Sequence, residues 1–172
     1  GRYGFGLAIL EDDRSSHQNE SSNEDLMIRL NTANKIDILN HLNHCNESFI
    51  PPLTDRINLA DYSKKIKDNA ITFETWQQDV LIGLIALYKN ESVGTSYITN
   101  VSVLPSHKGK KISSRLLAHA IQYMTEKGYK KIQLEVNKLN APAISLYIKH
   151  HFIEYDRKDE SIFYELNLNS EV

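Results

Sequence analysis

Cysteine is almost missing from this chain: Cys45 is the only one among 172 residues. A single thiol excludes an internal disulfide framework and any zinc site built from several cysteines, and such a composition is typical of a reducing compartment. As a nucleophile Cys45 would need a partner base, and the adjacent His44 is expected to point to another face of a helix. The sequence therefore favours a core position for Cys45 in a cytoplasmic protein.

Long apolar runs and a strong net charge are also lacking. No hydrophobic segment approaches the roughly 20 residues of a membrane-spanning helix, and the opening GRYGFGLAIL does not have the basic start and unbroken apolar stretch of a signal peptide. With 20 basic and 22 acidic residues the formal net charge is −2, so the overall field does not attract nucleic acid or an anionic membrane. We expect neither to be a partner.

Apolar side chains are missing from residues 11–25, which read EDDRSSHQNESSNED. Such a stretch cannot bury enough surface to offset the entropy lost on ordering. We therefore expect residues 1–25 to form a disordered tail or linker. The remaining residues, 26–172, are enough for one domain with a single hydrophobic core.

The spacing of apolar residues over the rest of the chain predicts an α/β (α+β) fold in which a central twisted mixed sheet is flanked by helices. The expected order is β-α-α-β-β-β-α-β-α-β-β. In the first helix, Asn31 or Thr32 is the expected cap and Ile36, Leu39 and Leu42 the buried side. The expected segments are 26–30, a helix near 36–42, 59–67, 70–76, 80–88, 96–104, 112–127, 131–137, 141–150, 152–156 and 161–166.

The most informative segment joins a strand to a helix: residues 101–117 read VSVLPSHKGKKISSRLL. The N-terminus of a helix carries unpaired amides and the positive end of the helix dipole, so it binds anions. Lys108, Lys110 and Lys111 add positive charge, which is unfavourable at a helix start unless a counter-anion is present. We expect a phosphate or pyrophosphate here, with a solvated lysine cluster as the alternative. The G-x-x-x-x-G-K-[ST] spacing of a P-loop is missing.

Together with the later stretches LEVN and NAPAISLY, residues 101–152 resemble the two central motifs of the GCN5-related N-acetyltransferase (GNAT) superfamily. The predicted order of elements is similar to that fold. The resemblance implies direct transfer of an acetyl group from acetyl-CoA to a primary amine of a small molecule, such as an amino sugar, or of a peptide. No metal is expected, because His150 and His151 have no third ligand at a useful spacing. We expect a monomer or homodimer. A non-catalytic acyl-CoA-binding domain of a larger protein is the alternative.

The resemblance also implies which residues bind the cofactor. In the family, the pyrophosphate loop reads Arg or Gln, two residues, Gly, one residue, then Gly or Ala. Here Lys108 stands in the first position, while Lys111 and Ser113 replace the two small residues, and these replacements bear on cofactor affinity. The expected cofactor-binding residues are Val101, Ser102, Val103, Lys108, Gly109, Lys110, Lys111, Ile112, Ser113, Ser114, Asn140 and Ala143.

Catalytic roles follow from the same resemblance. The amide of Val103 would lie near the thioester carbonyl, and Tyr147 would donate a proton to the departing thiolate, a role suited to a phenol with a pKa near 10. Glu135 would take the proton of the attacking amine, with His107 as a weaker alternative. The implied acceptor pocket lies between residues 46–69 and the strands of residues 73–97. Its candidate lining residues are Phe49, Arg56, Tyr62, Tyr97 and Asn100.

Overall fold

The computed structural model describes residues 25–168 of the chain. Its elements follow the predicted order. They are β1 (Leu26–Leu30), α1 (Lys35–Cys45), α2 (Leu59–Asn69), β2 (Ile71–Gln77), β3 (Val80–Asn90), β4 (Thr95–Val103), α3 (Ile112–Glu126), β5 (Lys131–Asn137), α4 (Ala141–Lys149), β6 (Ile153–Lys158) and β7 (Ser161–Asn167). Short 3-10 turns occur at Asn46–Ser48, Leu53–Asp55 and Pro105–His107. Apart from Asp25, the predicted tail lies outside the described residues.

The strands form one seven-stranded mixed sheet in the order β1-β2-β3-β4-β5-β7-β6. Every neighbouring pair is antiparallel except β4 and β5, which run parallel. The buried side chains form two clusters, because α1 and α2 pack on one face of the sheet and α3 and α4 on the other. The predicted mixed sheet flanked by helices is therefore confirmed.

Two features of the helices were predicted correctly from residues a few positions apart. Asn58 caps α2 by accepting a hydrogen bond from the amide of Asp61 at 3.0 Å. In α3, the predicted four-residue stripe is buried along its whole length: Ile112, Leu116, Ala120 and Met124.

The prediction for α1 was wrong in two respects. Its cap is Asn34, which forms a capping box with Asp37. Ile36 is 66% exposed, and the buried stripe begins at Ile38 instead. The reason lies outside the helix: Thr32 and the amide of Ala33 are held by Glu74, so the helix can begin only after them.

Glu74, on β2, is a fully buried carboxylate that fastens the connection between β1 and α1. Its oxygens accept hydrogen bonds from the amides of Thr32 and Ala33 at 3.0 and 3.1 Å and from the indole of Trp76 at 2.9 Å. The hydroxyls of Thr32 and Thr72 also donate to it. A buried charge with this many donors is stable only as a complete cluster.

The two parallel strands separate partway along their length. β4 pairs with β5 only from Thr95 to Ile98, opposite Lys131 to Leu134. At that point β4 has a bulge, since Ile98 pairs with Leu87 and Asn100 with Ala86, which leaves Thr99 as an extra residue. Residues 99–103 continue along β3, while β5 continues along β7. A cleft therefore opens between β4 and β5 in the middle of the sheet.

Candidate functional site

One wall of the cleft is the free edge of β4. The amide of Leu104 donates to the carbonyl of Ile82 at 2.8 Å, and the backbone groups of a strand alternate between its two edges. Val101 and Val103 therefore direct their N–H and C=O groups into the cleft, while the backbone of Ser102 faces β3. The side chain of Ser102 is buried on the α1 side of the sheet. The cleft thus offers peptide groups at alternate residues.

The loop after β4 leads to the start of α3. Gly109 and Lys111 both have left-handed backbones, with φ of 82° and 59°. Lys111 is the N-cap of α3, and no side chain caps the helix there. Ile112 and Ser113 are buried. The amides of the first turn are therefore not used by a capping side chain, which suits an anion.

Two side chains of the predicted cofactor loop bind other parts of the protein. The ammonium of Lys108 donates to Ser48 Oγ at 3.2 Å, just after α1. Ser114 Oγ lies 2.9 Å from His150 Nε2 at the end of α4. The loop and the helix start are thus held from both faces of the sheet.

Lys111 occupies the position where the family pattern has Gly, and its left-handed φ explains that preference. A non-Gly residue in this conformation costs about 1–2 kcal/mol. We expect Lys111→Gly to raise the free energy of unfolding by about 1 kcal/mol, less than that full cost because Gly also gains entropy in the unfolded chain. Urea denaturation measures this. Lys110→Gly removes the same charge from a residue without left-handed φ and should be neutral or destabilising. Equal effects of both variants would disprove the backbone explanation.

Gly83 on β3 allows the first turn of α3 to lie directly on the sheet. A Cβ there would lie 2.6 Å from Ile112 Cγ2 and 3.2 Å from Leu116 Cδ1. We expect Gly83→Ala to lower the free energy of unfolding by about 1–3 kcal/mol and to weaken binding of the predicted cofactor, because the helix start must move outward. In a double-mutant cycle with Ile112→Ala, the combined loss should be smaller than the sum of the single losses. Additive losses would show that the contact with Ile112 is not the cause.

Tyr147, on α4, is fully buried, with its ring against Phe152 and Tyr164 at centroid distances of 5.6 and 6.4 Å. Its hydroxyl has no hydrogen-bond partner among the described residues. Burial raises the pKa of this phenol above its ordinary value, so it is protonated at neutral pH. We interpret this buried hydroxyl as a donor whose hydrogen-bond partner is supplied by a bound ligand.

Asn140 and Ala143 form the start of α4. The side-chain oxygen of Asn140 accepts a hydrogen bond from the amide of Ala143 at 3.3 Å, which makes Asn140 the N-cap. Both residues are buried. The structure therefore gives Asn140 a capping role, and contact with the cofactor stays a prediction.

Glu135 lies on the face of β5 opposite Tyr147, because Leu134 and Val136 face the cluster under α3 and α4. The carboxylate is half-buried and accepts a hydrogen bond from Ser161 Oγ at 2.6 Å. Next to it, the hydroxyl of Tyr97 is buried and has no hydrogen-bond partner within residues 25–168. Burial first, and then the negative charge of Glu135, raises the pKa of Tyr97 above its ordinary value.

Tyr155, on β6, completes this group, and sequence reasoning missed it. Burial and the charges of Glu165, Asp156 and Glu135 raise its pKa. Tyr97, Glu135 and Tyr155 come from β4, β5 and β6, so only the sheet brings them together. The alternation of apolar and polar residues along β5 was the one local signal for this face in the sequence.

A cavity of about 850 Å³ adjoins Tyr97 between the end of α2 and the starts of β4 and β5. Its lining includes Lys65, Asn69, Tyr88, Tyr97 and Gln133. Of the predicted acceptor residues, Tyr97 alone is part of this lining. Phe49, Tyr62 and Asn100 are buried in the sheet or under α1 and α2, and Arg56 is exposed.

His107 is held away from Glu135. Its Nε2 lies 2.8 Å from Gln77 Oε1 at the end of β2, and its Nδ1 lies 2.8 Å from Ser106 Oγ. Residues 25–168 contain no group of three or more His, Cys, Asp or Glu side chains that could hold a metal ion. Over the same range, no helix combines the length and the apolar character that crossing a membrane requires.

Comparisons with known proteins give the family of this chain and solved structures with a similar fold. The model of the acetyltransferase (GNAT) family matches residues 36–152. The chain belongs to the GNAT family. A solved GNAT-like structure, YncA of Salmonella typhimurium with acetyl-CoA, superposes with a TM-score of 0.68 at 18% identity and covers 86% of this chain and 96% of that one. At this identity the likeness shows the fold alone.

Two curated relatives of this GNAT chain are streptothricin acetyltransferases. The enzyme of Streptomyces lavendulae is 40% identical over 55 residues, which are 32% of this chain and 29% of that protein. Streptothricin acetyltransferase A of Bacillus subtilis is 28% identical over 93 residues, which are 54% of this chain and 53% of that protein. The matched part thus spans about half or less of these relatives.

Proposed function

We propose that this GNAT protein is an N-acetyltransferase that transfers the acetyl group of acetyl-CoA directly to a primary amine of a small molecule. The observation that carries the proposal is the cleft between β4 and β5. Its edge carries the peptide groups of Val101 and Val103, which β5 does not pair, and it leads to the start of α3, where no side chain caps the helix. The phenol of Tyr147 is buried without a hydrogen-bond partner among residues 25–168.

These residues fit acetyl-CoA. The amides of residues 109–114 at the start of α3 would hold its pyrophosphate, with charge from the neighbouring lysines. The free edge of β4 would bind its amide-containing arm in the manner of an added strand. When bound, the cofactor supplies the activated acetyl thioester.

The residues around the thioester would act on charge and protons. The amide of Val103 would stabilise the negative charge that develops on the thioester oxygen, a contribution of about 3 kcal/mol for one donor of this kind. Tyr147 would donate its phenolic proton to the departing thiolate. Its raised pKa means that the phenol carries this proton at neutral pH.

On the opposite face, Glu135 would accept the proton of the attacking amine. Its carboxylate lies with Tyr97 and Tyr155, and a carboxylate beside aromatic rings suits a cationic ammonium group before deprotonation. The names of the two curated relatives support a small-molecule amine over a peptide. The monomeric or homodimeric state and the cytoplasmic location stay predictions.

A non-catalytic acyl-CoA-binding domain was the alternative because Lys111 and Ser113 replace small residues. The structure reduces the support for this alternative: Lys111 adopts the left-handed backbone that the pattern reserves for Gly, and Ser113 fits within the core. Neither replacement removes an amide.

The experiment that tests the proposal combines acetyl-CoA calorimetry with release of free CoA over streptothricin, amino sugars, polyamines, amino acids and peptides. We expect binding together with amine-dependent release for at least one small amine. Binding without release over the whole panel would favour the non-catalytic alternative. If well-folded protein does not bind acetyl-CoA at all, the proposal is wrong.

A further inference from the structure

A chain of buried polar side chains runs from α1 to β4, under the strand that borders the cleft. His41, on α1, is 2% exposed; its Nδ1 lies 2.9 Å from the carbonyl oxygen of Leu81 and its Nε2 lies 2.7 Å from Ser102 Oγ. Ser102 Oγ lies in turn 2.7 Å from Oδ1 of the side-chain amide of Asn100. Ser102 and Asn100 are fully buried.

The direction of each hydrogen bond in this chain of side chains follows from the group at its end, the carbonyl of Leu81. Burial lowers the pKa of His41 to about 4, so the ring is neutral and carries one N–H. A carbonyl oxygen can only accept, so the proton lies on Nδ1 and is donated to Leu81. Nε2 then accepts the hydroxyl proton of Ser102. The opposite tautomer would set a lone pair against the Leu81 carbonyl, and an unmade buried hydrogen bond costs about 1–3 kcal/mol.

This assignment determines which way the amide of Asn100 points. The proton of Ser102 is used by His41, so Asn100 must donate to Ser102 Oγ, and its nitrogen takes the position beside that oxygen. With Oδ1 beside Ser102 Oγ, Asn100 Nδ2 would be buried with no hydrogen-bond partner among the described residues. Tyr62, on α2, holds the neighbouring residue of β4, because its hydroxyl donates to the carbonyl of Thr99 at 2.8 Å.

We propose that Asn100 and Ser102 are positioning residues for acetyl transfer, which form with His41 one directed chain of hydrogen bonds that holds the free edge of β4. This inference rests on the proposed function. The physical reason is the bulge at Thr99 and the loss of pairing with β5 beyond Ile98. Within the described part of the chain, residues 99–103 have no neighbouring strand on the cleft side. The bonds of Ser102 to His41 on α1 and of the Thr99 carbonyl to Tyr62 on α2 replace that restraint for the peptide groups of Val101 and Val103.

The first test measures the tautomer of His41 by nitrogen NMR in the full chain, without any ligand. We expect a neutral ring with the proton on Nδ1 at pH 7. The titratable groups near the ring are Cys45, whose Sγ lies 3.7 Å from Nε2, and His44 on the same helix. Burial raises the pKa of Cys45 to about 12, so the thiol is neutral at this pH. A neutral ring with its proton on Nε2 would overturn the proposal.

Asn100→Asp sharpens this test because a carboxylate cannot donate to Ser102. The hydroxyl proton of Ser102 would turn to Asp, Nε2 would have to donate, and His41 would take a second proton at pH 7. Asn40→Asp is the matched control, since it adds the same charge next to His41 at an exposed position that is not part of the hydrogen-bonded chain of side chains. The protonation of Asp is followed in the same variant by its carboxyl carbon signal, because a protonated carboxyl could still donate to Ser102. A ring that stays neutral with its proton on Nδ1 while the Asp carboxyl is ionised would contradict the proposal.

The second test separates positioning from stability. We expect Ser102→Ala to weaken acetyl-CoA binding to the folded protein about tenfold and to lower kcat, since small displacements of a reacting group are costly; Ser102→Thr, which keeps the hydroxyl, should recover most of both. If Ser102→Ala lowers only the free energy of unfolding, the role is structural and the proposal is wrong. Acetyl-CoA affinity and the His41 tautomer are both measured without an amine. Failure of the proposed function is seen instead in the amine-dependent release of CoA, so the two failures are distinguished.

Discussion

Replacement of Tyr147 by Phe should lower amine-dependent turnover by about a hundredfold or more, which is the usual contribution of a positioned proton donor. The departing thiolate must gain a proton, and the hydroxyl of Tyr147 is a buried donor without a partner among the described residues. The measurement is kcat in the free-CoA assay with the best amine of the panel. Acetyl-CoA affinity by calorimetry should change little, since the contacts with pyrophosphate and strand are untouched.

Stability provides the internal control for this variant. The phenol makes no hydrogen bond to any residue that the structure describes, so Tyr147→Phe should leave the free energy of unfolding unchanged or raise it slightly. Tyr164→Phe is the matched variant, because its ring lies in the same cluster at a centroid distance of 6.4 Å, and it should retain most of the turnover. Full turnover of Tyr147→Phe would remove this residue from the mechanism.

Replacement of Glu74 by Ala should lower the free energy of unfolding by about 3 kcal/mol or more, because each buried donor left without an acceptor costs roughly 1–3 kcal/mol. The amides of Thr32 and Ala33 and the indole of Trp76 would all lose their partner. Urea denaturation with a constant m-value measures the loss. We expect the β1–α1 connection to lose its protection from amide hydrogen exchange first.

The control for Glu74 is Glu160→Ala. Glu160 forms an exposed ion pair with Lys138 at 3.2 Å, and its side chain is 62% exposed, so its removal should change the free energy of unfolding by less than about 0.5 kcal/mol. A similarly small loss for Glu74→Ala would mean that water replaces the carboxylate within the cluster. The anchoring role of Glu74 would then be disproved.

Local patterns predicted well wherever one segment satisfies its own requirements. The stripe of α3 from Ile112 to Met124 and the cap at Asn58 each depend on residues a few positions apart. The start of α1 failed because Asn31, Thr32 and Asn34 are all capable of capping. The choice was made by Glu74, which is distant in sequence and holds Thr32 and Ala33.

The amino-acid sequence alone determined the order of strands and helices and the loop at residues 108–113, because hydrophobic period and helix-end chemistry are written in neighbouring residues. Only the tertiary structure decided that β4 and β5 separate after Ile98 and Leu134. Backbone hydrogen bonds are the same for every residue type, so side-chain patterns do not show where two distant strands stop pairing. That separation exposes the peptide groups of the cleft, and the sheet order brings Tyr97, Glu135 and Tyr155 onto one face.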